Sequence, residues 1–363
     1  MQPSATVAMD SLAKSLLSRG EDIINLTAGE PDFDTPQHIK DAAIKSILEG
    51  RTKYTSVTGL PALREAICRK LKDNKLEYSP GQIIVSCGAK HSIYTALQAV
   101  LNPGDEVIMP VPYWTSYPEQ VRLASAEPVF ANGCTAEEIA RKITNKTKLI
   151  IINSPNNPSG SIASREELEA IAELAVEKNI LVLSDEIYEP FTYGKDHVSL
   201  ASLGEVKRLT ITVNGVSKAY AMTGWRVGYA AAEPEIINAM ATIQSHSTGN
   251  PANASQYAAL AALEGPQDSV KAMRQEFQRR RDYVVQELNS IKGISCPLPE
   301  GAFYVFPSIG KDSVKFCEEL LQKAKVATVP GAAFGKEGHI RISYAAPMPK
   351  LKEAMGRIAG FMQ

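Results

Sequence analysis

The residues best suited to covalent chemistry in this chain lie close together, in Val216-Ser217-Lys218-Ala219-Tyr220 and the following Thr223-Gly224-Trp225-Arg226-Val227-Gly228. A loop lysine is ordinarily a solvated surface residue. Lys218, however, directly follows an apolar run and precedes small residues, a setting able to strip water from its amine. Desolvation lowers an amine's pKa and prepares it as a nucleophile for Schiff-base formation. Arg226, eight residues on, is a fixed cation able to grip a phosphate. A second stretch, Ser184-Asp185-Glu186-Ile187-Tyr188, ends the apolar run Ile180 to Leu183. A carboxylate at a strand's buried end is costly unless paired, so Asp185 needs a cationic partner, of which an internal Arg or Lys is the plainest. The third stretch, Asn153-Ser154-Pro155-Asn156-Asn157-Pro158-Ser159-Gly160, reads on composition alone as a turn. In a fourth, Cys87-Gly88-Ala89-Lys90 separates the run Ile83 to Ser86 from a helical run, His91 to Leu101. Backbone N–H groups and a helix N-terminus then face one point, which makes an anion site.

These residues need elements to hold them. Short apolar, β-branched runs recur at Ile83-Ile84-Val85, Glu106 to Pro110, Leu149 to Asn153, Ile180 to Ser184, Leu209 to Val213 and Val227 to Ala231. Most are continuous rather than alternating, the pattern of strands covered on both faces. Helical segments lie between several of them. The clearest begins at Ser164, which makes a capping box with Glu167, and continues with Leu168, Ile171, Ala172 and Ala175 at helical spacing. Alternating strand and helix predict an α/β fold with a mainly parallel, helix-covered sheet, whose strand ends are where such sheets place a site. After Pro251 the pattern changes to helices at Asn253 to Leu263 and Asp268 to Ser290, short strands at Phe303 to Phe306, Val326 to Val329 and His339 to Ser343, and a helix from about Lys350. A helix at Asp10 to Ser18 and a strand at Ile23 to Leu26 join that part. The expected division is a large domain over residues 31–250 and a smaller α+β domain built from residues 1–30 and 251–363.

Composition narrows the partners. At roughly 150 residues per domain, 363 residues predict two or three domains. Lys and Arg number 39 against 40 Asp and Glu, which leaves no basic footprint for nucleic acid or an anionic membrane and favours a small-molecule partner. The five cysteines are odd in number and widely spaced, without a C-x-x-C pair, and suggest a reducing compartment. The five histidines form no i, i+4 pair, so no metal site is expected. The N-terminus lacks a charged segment followed by an apolar one, and no apolar run approaches the roughly 20 residues of a membrane span. A cytoplasmic enzyme is the expectation.

The ordered series S-P-N-N-P-S-G, S-D-E-I-Y and V-S-K-A-Y-A-M-T-G-W-R, with 28 residues from Asn157 to Asp185 and 33 from Asp185 to Lys218, resembles the class I aminotransferases of fold type I, which use pyridoxal 5′-phosphate. Each motif alone is weak, whereas the ordered set is specific. Further matches run from Thr27-Ala28-Gly29-Glu30-Pro31-Asp32 through Lys53-Tyr54, Pro112-Tyr113-Trp114 and Pro330-Gly331 to Arg341-Ile342-Ser343-Tyr344, so the likeness spans essentially the whole chain. It implies a seven-stranded sheet in the large domain. It also implies that Lys218 holds the cofactor covalently and then moves a proton between the substrate and the cofactor. Asp185 would pair with the pyridinium nitrogen, and Asn157 and Tyr188 would hydrogen-bond the ring oxygen. Trp114 would stack on the ring. Taken alone, Tyr188 also reads as core and Trp114 as a hydrophobic anchor. The phosphate would lie against the Ala89 and Lys90 backbone, Ser217 and Arg226, with Tyr54 reaching in from a second subunit. A homodimer with shared active sites follows from that last assignment.

For substrate, the resemblance places the α-carboxylate on Arg341, with Gly29, Asn157 and Trp114 helping. The chain resembles the bacterial aspartate aminotransferase subgroup, in which a lysine at the Lys90 position takes the distal carboxylate; solvent exposure or phosphate support is the plainer role for Lys90. Ser4-Ala5-Thr6 also matches, with Thr6 near the substrate side chain. Aspartate and 2-oxoglutarate are the expected substrates, with prephenate or aromatic amino acids as the alternative. Gln2 departs from a lysine common in prephenate-active members. Phe130 to Ala136 and the turn near Gly310-Lys311 are shorter than the family pattern, as is the leader before Pro3. A non-catalytic sensing domain of aminotransferase-like regulators is disfavoured by the balanced charge and the lack of room for a helix-turn-helix.

Overall fold

A computed structural model describes residues 5–363; the positions Gln2 and Ser4 lie outside the described residues. After a short strand β1 (Ile24–Asn25), the chain builds a seven-stranded sheet from β2 (Ile83–Ser86), β3 (Glu106–Pro110), β4 (Glu127–Ala131), β5 (Thr147–Asn153), β6 (Leu181–Asp185), β7 (Thr210–Gly215) and β8 (Gly228–Ala231). The spatial order is β2-β8-β7-β6-β5-β3-β4. All neighbours are parallel except those of β8, which runs against both β2 and β7.

Continuous apolar strands feed two cores, as alternation across a sheet requires. In β5, Leu149 and Ile151 pack with Ile93, Leu97, Ile237 and Met240 on one face. Ile150 and Ile152 pack with Leu168, Ile171 and Ala175 on the other. The latter residues belong to helix Arg165–Lys178, whose capping box forms as its sequence predicts: Ser164 Oγ accepts from Glu167 N at 3.1 Å and Glu167 Oε2 accepts from Ser164 N at 2.7 Å. β4 is the strand that apolar runs alone do not reveal. It lies at the sheet edge, carries Pro128 and leaves Glu127 exposed, as an edge position permits. Beyond it, the short segment before helix Ala136–Ala140 turns through Gly133 at φ 119°.

Both chain ends contribute to two further small sheets. β1 pairs with β10 (Val326–Ala327), and β11 (Val329–Pro330), β12 (Ile340–Ser343) and β9 (Tyr304–Val305) form an antiparallel sheet in the order β11-β12-β9. The expected strand Val326 to Val329 is thus two strands in two sheets, divided at the buried Thr328. Helices Asp268–Ser290 and Met348–Met362 supply Phe277, Val284, Leu288, Leu351 and Ile358 to one core with Phe303, Tyr304 and Ile342. The boundary expected after residue 250 needs moving. Helix Asn253–Glu264 buries Ala258, Ala259 and Ala262 against Ile39, Leu63 and Ile67, in the cluster that backs β2 and β8. It therefore packs with the large sheet, and an Ala-rich helix gives no sequence sign of which domain it joins.

Candidate active site

Parallel strands place their carboxyl ends on one sheet edge, and that edge carries the chemistry. β2 leads to Gly88, Ala89 and Lys90, β5 to Asn153 and Asn157, β6 ends at Asp185, and β7 leads to Ser217 and Lys218. Because β8 runs the other way, its start lies at the same edge: Gly228 is opposite both Ser86 and Gly215, which brings Arg226 beside Gly88. A cavity of about 470 Å³ opens there, closed by Gly29, Tyr304 and Arg341.

One end of the cavity is an anion cradle. Helix Ala89–Val100 starts after Gly88, which has φ 88° and no side chain to cap the first turn, so the cap position is open to a ligand. A Cβ on Gly88 would stand 2.5 Å from Arg226 Nη2, and one on Gly228 would stand 2.1 Å from Ala89 N. Arg226 adopts φ 54°, donating from Nη1 to the Thr223 carbonyl at 2.8 Å and from Nη2 to the Cys87 carbonyl at 3.4 Å. Buried Ser217 completes this wall.

In the middle, Lys218 Nζ donates to the Gly29 carbonyl. Desolvation brings its pKa down to about 8, assisted by the charges of Arg226 and Arg341, while Glu30 and Asp185 oppose the shift. Asp185 is 4% exposed. Burial pushes its pKa up to about 6, against hydrogen bonds from the Tyr117 hydroxyl at 2.6 Å and the Ile187 N–H at 3.2 Å. Among the described residues no Arg or Lys makes an ion pair with this carboxylate, on which Lys218 acts only through its charge, so its environment favours a cation arriving with a ligand. Asn153 anchors the neighbouring loop, donating from Nδ2 to the Asp185 carbonyl and accepting from Asn157 N at 2.8 Å. Tyr188 is buried, with its hydroxyl 2.9 Å from that of Tyr304.

At the other end, Arg341 is 2% exposed. Nη1 donates to Asn157 Oδ1 at 3.0 Å and Nη2 to the Thr27 carbonyl at 2.6 Å, while Nε is buried without a partner. Burial depresses its pKa. Among the described residues no carboxylate pairs with this guanidinium, a state suited to an incoming one. Lys90 Nζ sits 5.0 Å from the Trp114 ring centroid. Partial desolvation, then Arg226, lowers the pKa of Lys90. Thr6 also lines the cavity. Tyr54 does not line it: this side chain is 98% exposed, away from the cavity of its own chain.

The amine, the buried carboxylate and the anion cradle form a donor set that fits a phosphorylated, amine-reactive, cationic ring. Sequence reasoning gave no site role to several lining residues, among them Tyr117, Tyr304, Asp10 and Lys14. Tyr117 follows Trp114 by one turn, with the two rings edge-on at 5.2 Å, and that spacing was a usable signal. Asp10 and Lys14 form an i, i+4 pair at 2.7 Å on helix Ala5–Ser18, a pattern that reads as ordinary surface charge.

A second titratable cluster lies beneath the edge. Glu186, Glu189 and His197 approach one another, but each carboxylate is already engaged. Glu186 accepts from Ser184, Ser199 and His197, and Glu189 pairs with Lys70 at 2.6 Å. Burial alone would depress the His197 pKa, yet Glu186 outweighs it and raises the pKa above the ordinary value of 6.5. A raised folded pKa contributes stability that is complete below the ordinary value and is lost as pH climbs through the folded one. His197→Gln should therefore destabilise the chain by about 1–3 kcal/mol at about pH 6, with a smaller deficit at about pH 9 in paired urea titrations. An equal deficit at both would show that the proton on His197 is not involved.

The sequence profile described as Aminotransferase class I and II matches residues 21–358. An aspartate aminotransferase from Bacillus sp. (strain YM-2) is 51% identical, covering 100% of this chain and 97% of that protein. An aspartate/prephenate aminotransferase from Cereibacter sphaeroides is 48% identical, covering 99% and 96%. Among solved structures, an aspartate aminotransferase from Thermus thermophilus with maleate superposes with a TM-score of 0.96 at 43% identity, covering 99% of this chain and 97% of that one.

Proposed function

Since the chain belongs to the class I and II aminotransferases, we propose that it moves the amino group of L-aspartate onto 2-oxoglutarate, giving oxaloacetate and L-glutamate in a ping-pong sequence. One observation carries the reading: a single cavity holds a desolvated amine, a buried carboxylate and an unneutralised arginine, with Lys90 at its rim.

The family is pyridoxal 5′-phosphate-dependent, and that cofactor supplies an amine-reactive aldehyde and a ring that takes up electrons from the reacting carbon. The backbone of Ala89 and Lys90, with Ser217 and Arg226, would hold the phosphate. Asp185, kept in place by Tyr117, would compensate the positive ring nitrogen. Asn157 and Tyr188 would donate to the ring oxygen, and Trp114 would cover the ring. Arg341, seated by Asn157 and the Thr27 carbonyl, takes the α-carboxylate beside Gly29 and so presents the substrate Cα–H to Lys218. Burial lowers the pKa of Lys218 to about 8, so that a fraction of Nζ is neutral at about pH 7 and able to take that proton from the substrate Cα.

Lys90, with Thr6 beside the substrate side chain, selects the distal carboxylate. A stopped-flow survey of half-reactions with aspartate, glutamate, alanine, phenylalanine and arogenate tests the whole reading; aspartate and glutamate should react fastest, and a bound cofactor that ignores them all would refute it. Lys90→Ala should slow aspartate by about 10- to 100-fold relative to alanine, whereas an unchanged ratio would remove Lys90 from substrate selection. Relatives named aspartate/prephenate aminotransferase favour a second activity, on prephenate, which the arogenate arm decides.

The working unit is a homodimer in which Tyr54 enters the partner's site. Its 98% exposure and the exposed Ile44, Ile47 and Leu48 on helix Gln37–Leu48 support a covered face there. The five free cysteines support a cytoplasmic location. No helix among the described residues is long and apolar enough to cross a membrane.

A further inference from the structure

Tyr304, on β9, is fully buried and lines the cavity beside Arg341 and Tyr188. Its two ends touch different parts of the site. The ring face lies 4.6 Å from Arg341 Cζ, with Phe334 on the same guanidinium at 5.2 Å. The hydroxyl lies 2.9 Å from the Tyr188 hydroxyl, and a Cβ on Gly29 would stand 3.0 Å from it. Gly29 is the residue whose carbonyl accepts from Lys218. One side chain thus meets the carboxylate fork, the ring-oxygen donor and the loop that holds the amine.

Resting on the function proposed above, we propose that Tyr304 is a positioning residue with two separable actions: its ring fixes the plane of Arg341, and its hydroxyl makes Tyr188 a donor toward the cavity. A phenol both donates and accepts one hydrogen bond readily. In an isolated buried pair either hydroxyl can be the donor. Once Tyr188 donates to a ring oxygen, it can meet Tyr304 only as acceptor, so Tyr304 must donate. Burial raises the pKa of Tyr304 although the Arg341 charge opposes this, so its proton stays available. Receiving that hydrogen bond polarises Tyr188 and strengthens its own donation. The stronger donation favours an anionic ring oxygen and so eases loss of the neighbouring proton.

The two actions come apart in two variants of the holoenzyme. Tyr304→Phe keeps the ring and removes the hydroxyl. Succinate, a dicarboxylate without an amine, should bind it within about twofold of the wild type. The pH midpoint of the bound cofactor's absorbance should rise by about half a unit or more, and kcat should fall about three- to tenfold. Tyr304→Leu removes the ring as well and should weaken succinate about tenfold or more. A Tyr188→Phe, Tyr304→Phe double variant should show the pH midpoint of Tyr188→Phe alone, since the hydroxyl acts through Tyr188. An unmoved midpoint in Tyr304→Phe, or additive shifts in the double variant, would overturn the hydroxyl's role. Wild-type succinate affinity in a folded Tyr304→Leu would overturn the ring's role, and Tyr304→Phe tests the hydroxyl even where Tyr304→Leu fails to fold. A wild-type protein that binds no cofactor and ignores aspartate would instead defeat the function on which this rests.

Discussion

Replacement of Lys218 by alanine should abolish turnover, by more than about 10⁴-fold, because in the proposed function one amine serves both as covalent anchor and as proton carrier. Lys218→Arg makes the prediction specific. It keeps a cation between Arg226, Arg341 and the Gly29 carbonyl, yet a guanidinium does not deprotonate in this pH range. It should be as inactive as the alanine variant. Single-turnover mixing with aspartate is the measurement, and a Lys218→Arg rate within about 100-fold of wild type would mean that charge at this position matters more than proton transfer. Lys218 also leaves a mark on stability. Its folded pKa, near 8, lies below the ordinary 10.5, so the ligand-free fold gains stability as pH rises across that window. The alanine variant should lose this rise.

The second large effect has opposite signs in two assays. Asp185→Asn should cut turnover by about 10²- to 10⁴-fold, since a neutral amide no longer compensates a charged ring nitrogen. The same substitution should stabilise the ligand-free chain. The Asp185 pKa is raised from 3.8 to about 6; a raised folded pKa means stability present below 3.8 and lost as pH climbs to 6. Removing the charge should therefore recover up to about 3 kcal/mol at neutral pH and almost nothing near pH 4. Denaturant titrations at the two pH values read this directly. An asparagine variant less stable than wild type at neutral pH would mean that the Tyr117 and Ile187 hydrogen bonds already outweigh the desolvation of the carboxylate.

Strands buried on both faces announce themselves as unbroken apolar runs, which is why β5, β6 and β7 and the polar residues at their ends could be found in the chain directly. The run Val227 to Ala231 was equally plain, but nothing in it states the direction of the large sheet's antiparallel strand, and that direction is what carries Arg226 to Gly88. β4 hid behind a proline at the sheet edge, and helix Asn253–Glu264 carries alanines that would pack equally well on either domain. Among the site residues, Lys218, Asp185 and Arg226 showed their chemistry through an unusual setting for a charge. Tyr304 did not, because an aromatic in an apolar run looks like core, and Tyr117 was marked only by its spacing from Trp114; both are buried. What distinguishes them is a hydroxyl aimed at one particular neighbour, Asp185 or Tyr188, a contact between residues distant in sequence.

The cavity wall carries five cationic side chains, Lys14, Lys90, Lys218, Arg226 and Arg341, against three carboxylates, Asp10, Glu30 and Asp185. Without ligands, the folded chain therefore holds like charges together that the unfolded chain would separate. Any small anion that enters relieves this repulsion and shifts the folding equilibrium by mass action, in proportion to the logarithm of its concentration over its dissociation constant. Phosphate, sulfate or a dicarboxylate that occupies this cavity should therefore raise the melting temperature as its concentration rises.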